Sequence, residues 1–308
     1  MLNWTNDGGD GVDDYAVFVF STGEVLVYQG DDPGNANAWA MIGRFQIGEP
    51  LGIKAHAKVG GTEIIITRDG YVDLSAALRD GRYSEQSAYS AKIIRAAKDA
   101  TNEFGGFTGW EAHLFPAGQL FIVNVPTTST TAIQHVRETS SGGWCEFRGW
   151  NARCFAVLNN RLWFGTPDGR VNRAYIGTVD GTARIESWAI PAFNALGSKA
   201  QRKQVTAVSV VSNALRPQSY AYDGLADFNT SLRSTLTDDP GSPAAVWDSS
   251  AWDASAWGVG AEGLPVRQAW RNVSANGYAL TVSVRIRQQA QAIIWYSTNY
   301  QFRQAGTL

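Results

Sequence analysis

The side chains best suited to moving protons are three histidines, His56, His113 and His135, and each falls in a different strand candidate. None has a serine, cysteine or carboxylate at a spacing found in catalytic sets, so packing or surface roles are expected for all three. The sequence holds no nucleophile elbow, P-loop or dinucleotide-binding fingerprint. Cys145 and Cys154 lie nine residues apart with no His or Cys cluster beside them. That is too few ligands for zinc, and they read as reduced structural thiols. The acidic run from Asp7 to Asp14 alternates carboxylates with glycines and so offers hard oxygen ligands around a tight turn. Its spacing does not fit an EF-hand, and a solvated loop leading into the first strand is the simpler reading. No catalytic, cofactor-binding or metal-binding residue is expected.

The most distinctive side chains are aromatic. The stretch VWDSSAWDASAW places Trp247, Trp252 and Trp257 five apart, with aspartates directly after the first two. A period of five matches neither helix nor strand. The rings either cover apolar surface of their own domain or anchor a neighbouring subunit, since Trp is enriched at binding hot spots. A sugar-stacking platform is a third role such rings can fill. Three indoles on a Gly- and Ser-rich arm should not stand in water on a monomer, which makes Trp247, Trp252 and Trp257 candidate interface residues. The turn TPDGR, Thr166 to Arg170, is similar to the aspartate turn of sialidase propellers. It lacks the aromatic that should follow the glycine, and it reads as a hairpin turn at Asp168-Gly169.

The elements that would carry these residues are strands. Twelve Trp, thirteen Phe and eleven Tyr beside thirty-two Gly describe a chain of strand formers and turn residues. A length of 308 residues is enough for about two domains without staples. With 26 basic against 28 acidic residues the net charge is −2, which offers no general attraction for phosphate backbones or anionic lipid. No apolar run approaches the roughly 20 residues of a membrane span, and the first residues lack the pattern of a secretory signal. Use without export through a signal is expected.

A unit of strand, tight turn and strand recurs: YAVFVF-STG-EVLVY from Tyr15, AHAKV-GG-TEIIIT from Ala55, WEAHLF-PAG-QLFIV from Trp110 and CFAVL-NN-RLWFG from Cys154. The markers Gly23, Gly61, Gly118 and Asn160 are spaced by 38, 57 and 42 residues, near the period of four-stranded blades. A further strand candidate follows each hairpin, at Trp39 to Phe45, Tyr71 to Leu74, Ala132 to Glu138 and Val171 to Ile176. Such repeats gain stability by stacking face to face around an axis or along a line. The fold class expected is all-β, with β-propeller-like blades over residues 1–196 and one inserted helix at about 84–104. In that insert Tyr89, Ile93, Ala97, Ala100 and Phe104 form one helical stripe. A smaller carboxy-terminal β unit, 197–308, is expected to carry strands at Val205 to Val211, Val266 to Arg271, Ala279 to Arg287 and Ala292 to Gln301. It includes a long arm at 235–263 that bears the three tryptophans.

Several ordered segments together resemble structural proteins of the bacteriophage tail hub or nozzle family. They are DDYAVFVFSTGEVLVYQGDDP (Asp13 to Pro33), RFQIGEPLG (Arg44 to Gly52), WEAHLFPAGQLFIVNVP (Trp110 to Pro126) and GGWCEFRGWNARCFAVLNNRLWFGTPDGRV (Gly142 to Val171), with the tryptophan arm. The resemblance covers most of the chain. It implies a propeller-bearing virion protein of short-tailed phages, assembled in the host cytoplasm as a ring, hexameric by analogy. The ring would lie below portal and adaptor, touch adaptor and fibre or spike proteins, and pass DNA through its lumen without specific binding. Family members extend upstream of the point matching Met1, so the chain would be a carboxy-terminal portion. The family has no catalytic residues or cofactor to carry over. The competing expectations are a receptor- or sugar-binding tail module and a propeller glycosidase, which would need carboxylates and an arginine at a channel mouth.

Overall fold

The glycine- and asparagine-marked hairpins form at the expected positions, and each is extended into an antiparallel meander. The computed structural model describes residues 2–7, 12–30, 32–35, 37–177, 179–181, 183–214, 220–232, 234, 267–288 and 293–304. It is mostly β and divides into two units, Met1–Ile176 and Gly177–Leu308.

The first unit carries four sheets. β1 (Leu2–Asp7), β2 (Val12–Val19), β3 (Glu24–Gly30) and β4 (Trp39–Gln46) make the first, and β5 (His56–Val59), β6 (Thr62–Thr67) and β7 (Gly70–Asp73) the second. β8 (Glu111–Phe115), β9 (Leu120–Pro126), β10 (Ala132–Glu138) and β11 (Trp144–Arg148) make the third, and β12 (Cys154–Leu158), β13 (Arg161–Gly165) and β14 (Val171–Arg173) the fourth. Neighbouring strands follow chain order throughout, as local turns require. The β12–β13 turn is closed by Asn159 (φ 51°) and Asn160 (φ 58°), the left-handed pair that a two-residue hairpin needs. At β13–β14 the left-handed residue is Gly169 (φ 81°), and the Gly169 N–H donates to the Thr166 carbonyl at 3.0 Å, so TPDGR is a hairpin turn. The acidic run is not a lead-in loop. Asp7 pairs with Val12 across the β1–β2 hairpin, which places Asp13 and Asp14 inside β2, while residues 8–11 lie outside the described residues.

The sheets stack because successive side chains of an interior strand point to opposite faces and both faces are apolar. In β6, Ile65 joins Val17, Val25, Val27 and Phe45 of the first sheet, whereas Ile64 and Ile66 join Phe121, Val123 and Val125 of the third. In β9, the alternate residues Leu120 and Ile122 instead meet Phe155, Leu162 and Phe164 of the fourth. Three apolar seams therefore bind four sheets in sequence order.

The described residues contain two α-helices where one was expected. α1 (Leu74–Asp80) begins at the last residue of the strand expected over Tyr71 to Leu74: the Asp73 side chain accepts from the Ala76 N–H and caps it, and Gly81 (φ 65°) ends it. α2 spans Ile94–Phe104 after a 3-10 turn at Ala91–Ile93, and so starts about ten residues later than expected. Residues before it are pinned to β7 instead: the Ser90 hydroxyl accepts the Tyr71 N–H at 3.0 Å, and the Ser90 N–H donates to the Tyr71 carbonyl. Of the expected stripe only Ala97, Ala100 and Phe104 lie on α2; Tyr89 and Ile93 precede it and still pack against the same seam.

The second unit begins at Gly177, about twenty residues before the expected boundary. The reason is pairing across the sequence: after β15 (Val179–Asp180), β16 (Ala183–Ala189) bonds to β20 (Leu280–Gln288). With β18 (Tyr220–Ala226) these form one sheet, and β17 (Lys203–Ala214), β19 (Arg267–Gly277) and β21 (Ile293–Gln304) form the other. Val205, Val208 and Val210 of β17 face Leu280, Val282, Val284 and Ile286 of β20, a two-sheet sandwich. Gly224 allows this approach, since a Cβ there would lie 2.8 Å from both Ala275 Cβ and Val273 Cγ1.

Candidate functional site

The three candidate interface residues, Trp247, Trp252 and Trp257, and the whole arm at 235–263 lie outside the described residues. The polar side chains that the described residues bring together sit on the seams of the first unit. β8 alternates so that Ala112 packs toward the second sheet and Glu111, His113 and Phe115 point toward the fourth. Glu111 is nearly enclosed, with 5% of its side chain accessible. One oxygen accepts the Phe155 N–H of β12 at 3.1 Å, and the other accepts from Lys54 Nζ, at the entry to the second sheet, at 3.3 Å. The Ala112 N–H donates to the Lys54 carbonyl at 3.0 Å, and Lys54 and Glu111 form a parallel bridge. One carboxylate thus ties three successive sheets at their first strands.

Burial pushes the Glu111 carboxyl above the ordinary range, against the pull of the Lys54 ammonium and the Phe155 N–H. His113 lies 4.0 Å from the same carboxylate through Nδ1, and its ring stacks on Phe155. Burial, aided by the Lys54 charge, lowers its pKa and keeps the imidazole neutral. His135 is buried two strands away, with Nδ1 2.7 Å from the Tyr71 hydroxyl. Burial also lowers the His135 pKa and holds the Tyr71 phenol above its usual value. His56 stands apart, largely in solvent, 3.3 Å from Glu63 of β6. The structure therefore joins Glu111 with His113 and keeps the other two histidines in separate surroundings. A second polar knot, Asn124 and Gln134, sits on paired strands: Asn124 donates to the carbonyls of Gly109 and Ala152, and Gln134 donates to Asn124 and the Trp150 carbonyl. Glu111, Asn124 and Gln134 were missed in the sequence, although Glu111 and His113 at i and i+2 within an otherwise apolar strand mark one face with polar groups.

Cys145 and Cys154 are free thiols. Among the described residues no group of three or more His, Cys, Asp or Glu side chains could hold a metal ion, and no helix is long and apolar enough to cross a membrane. A cleft of about 300 Å³ lies beside the 3-10 turn that precedes α2, lined by Asp73, Ser87, Tyr89, Lys92, Arg137 and Trp144 among others. The Arg137 guanidinium covers the Tyr89 ring at 3.9 Å, and Lys92 Nζ donates to the Gly142 carbonyl at 3.0 Å. The sequence matches no protein-family model and no curated protein.

Proposed function

We propose that the chain is a non-enzymatic virion protein of the tail hub or nozzle type, part of a ring-shaped conduit for genome ejection that also attaches other tail proteins. The observation that carries this reading is the use of polar side chains in the first unit. Glu111, His135, Asn124 and Gln134, all buried, are each engaged in bonds between strands, sheets or their connecting loops. Buried polar groups bonded across elements in this way specify one arrangement of packed layers, which suits a mechanical part. First strands lying side by side at the Lys54–Glu111–Phe155 junction favour a blade-like arrangement of the meanders, propeller-fashion about an axis. Near-neutral charge suits the wall of a DNA channel, since a basic wall would grip phosphates. Partners in this reading are further copies of the chain, an adaptor, and fibre or spike proteins, at the virion tail. Gold-labelled antibodies to the chain should mark the tails of phage particles that encode it. Label on the capsid, or on no particle while the protein accumulates in the lysed cell, would overturn the proposal.

The cleft before α2 favours a second reading, a receptor- or sugar-binding tail module, because rings and cations line one concavity. Titration with a uronic-acid oligosaccharide, followed by tryptophan fluorescence, separates the two: saturable binding abolished by Arg137→Ala supports the module.

A further inference from the structure

We infer that the outer face of the fourth sheet in one copy packs on the outer face of the first sheet in the next copy, repeating the chain's own internal seam between molecules. This rests on the ring reading above and names the surfaces that close it.

Interior sheets of the first unit are covered on both faces, but the two terminal sheets are covered on one. A terminal repeat in a stack normally presents a polar outer face to water. Here both outer faces are largely apolar. On the first sheet the outer face carries Phe18, Leu26, Tyr28, Trp39 and Met41 beside the Glu24–Arg44 ion pair, by cross-strand register and alternation. Tyr28 stacks on Trp39 at 5.6 Å with Phe18 edge-on at 5.8 Å, and Met41 is 53% exposed. On the fourth sheet Ala156, Leu158, Trp163 and Val171 share the outer face, with Leu158 62% and Val171 70% exposed. Arg161 and Arg173 stand on that same face, each paired across strands with one of these apolar residues.

Charge selects the partner. The segment forming the first sheet, residues 2–46, has seven carboxylates against one arginine, whereas the segment forming the fourth, residues 154–176, has three arginines against one aspartate. Two fourth-sheet faces, each with Arg161 and Arg173, would repel, whereas the acidic first segment attracts them, so the joint is head to tail rather than two-fold. A head-to-tail joint generates a ring when its rotation closes. The occupant of each face is therefore the opposite face of a second copy.

The test uses a thiol already on the fourth-sheet face. Cys154 is free and exposed there, so a Met41→Cys, Cys145→Ser variant places one thiol on each face. Packed sheets lie about 10 Å apart, within reach of a short bismaleimide. Unlabelled and ¹⁵N-labelled chains are mixed under dissociating conditions, reassembled and cross-linked, and the mass of linked products is read. Heavy–light pairs through positions 41 and 154 are expected. Links found only within one chain would show that the two faces close on each other, and would overturn the inference. Intact rings without a 41–154 link would also overturn it while leaving the ring reading standing. Chains that stay monomeric would overturn both. In parallel, Leu158→Asp with Val171→Asp should shift the native mass to that of the 33.4 kDa chain with an unchanged circular dichroism spectrum. Retention of the wild-type native mass would count against the joint.

Discussion

Replacing Glu111 by leucine tests whether one carboxylate holds three sheets together. The Phe155 N–H that it accepts at 3.1 Å belongs to a buried residue and would be left without an acceptor. An orphaned buried donor costs about 1–3 kcal/mol. The Lys54 side chain is 61% accessible and returns to water, so its loss adds little. Glu111→Gln keeps an oxygen for the Phe155 N–H and should cost under about 1 kcal/mol, as should Lys54→Ala. The assay is amide hydrogen exchange across β12. Protection of Phe155 should fall roughly tenfold to a hundredfold in Glu111→Leu, at about 1.4 kcal/mol per factor of ten, and change little in the other two variants. Equal protection in all three variants, or a Lys54→Ala loss as large as that of Glu111→Leu, would refute the bridging role.

Other outcomes follow from the same geometry. Glu111 titrates above its unfolded value, so the native state holds its proton longer and stability falls as pH rises through that range; Glu111→Gln should flatten this fall in urea midpoints. His113 and His135 have the opposite sign: both are lowered by burial, so stability is lost as pH drops through about 6.5 and below, and His135→Gln should lessen that loss. Tyr71→Phe removes the hydroxyl 2.7 Å from His135 Nδ1 and should cost about 1–3 kcal/mol by chemical denaturation. Gly224→Val, which forces side-chain atoms against Ala275 and Val273, should lower the melting temperature in calorimetry, by overpacking worth about 1–3 kcal/mol.

How much of this was legible in the sequence depends on how local the signal was. The hairpins at Tyr15, Ala55, Trp110 and Cys154 announced themselves through turn residues between alternating runs, and β10 matches its expected span of Ala132 to Glu138. β1 was missed because LNWTND is short and polar, and its strand character comes from pairing with β2. β16 was missed for a related reason: its partner β20 lies about a hundred residues on, so no window contains the pair. β18 alternates in burial, but the buried positions are Ala221, Asp223 and Leu225 while tyrosines stand between them, which inverts the hydropathy signal. Asp223 is tolerated there because it accepts from the Ser234 N–H and hydroxyl. α1 did carry a readable signature, an aspartate cap at Asp73 and a glycine stop at Gly81. The Glu111 junction needed tertiary structure, since Lys54 and Phe155 approach it from 57 and 44 residues away.

The most direct measurement is electron microscopy of the purified full chain at micromolar concentration. Closed rings of a single size, with a central channel wide enough to pass duplex DNA and the first unit repeated around the axis, are the predicted result. Single copies at every concentration, or open filaments that never close, would contradict the conduit.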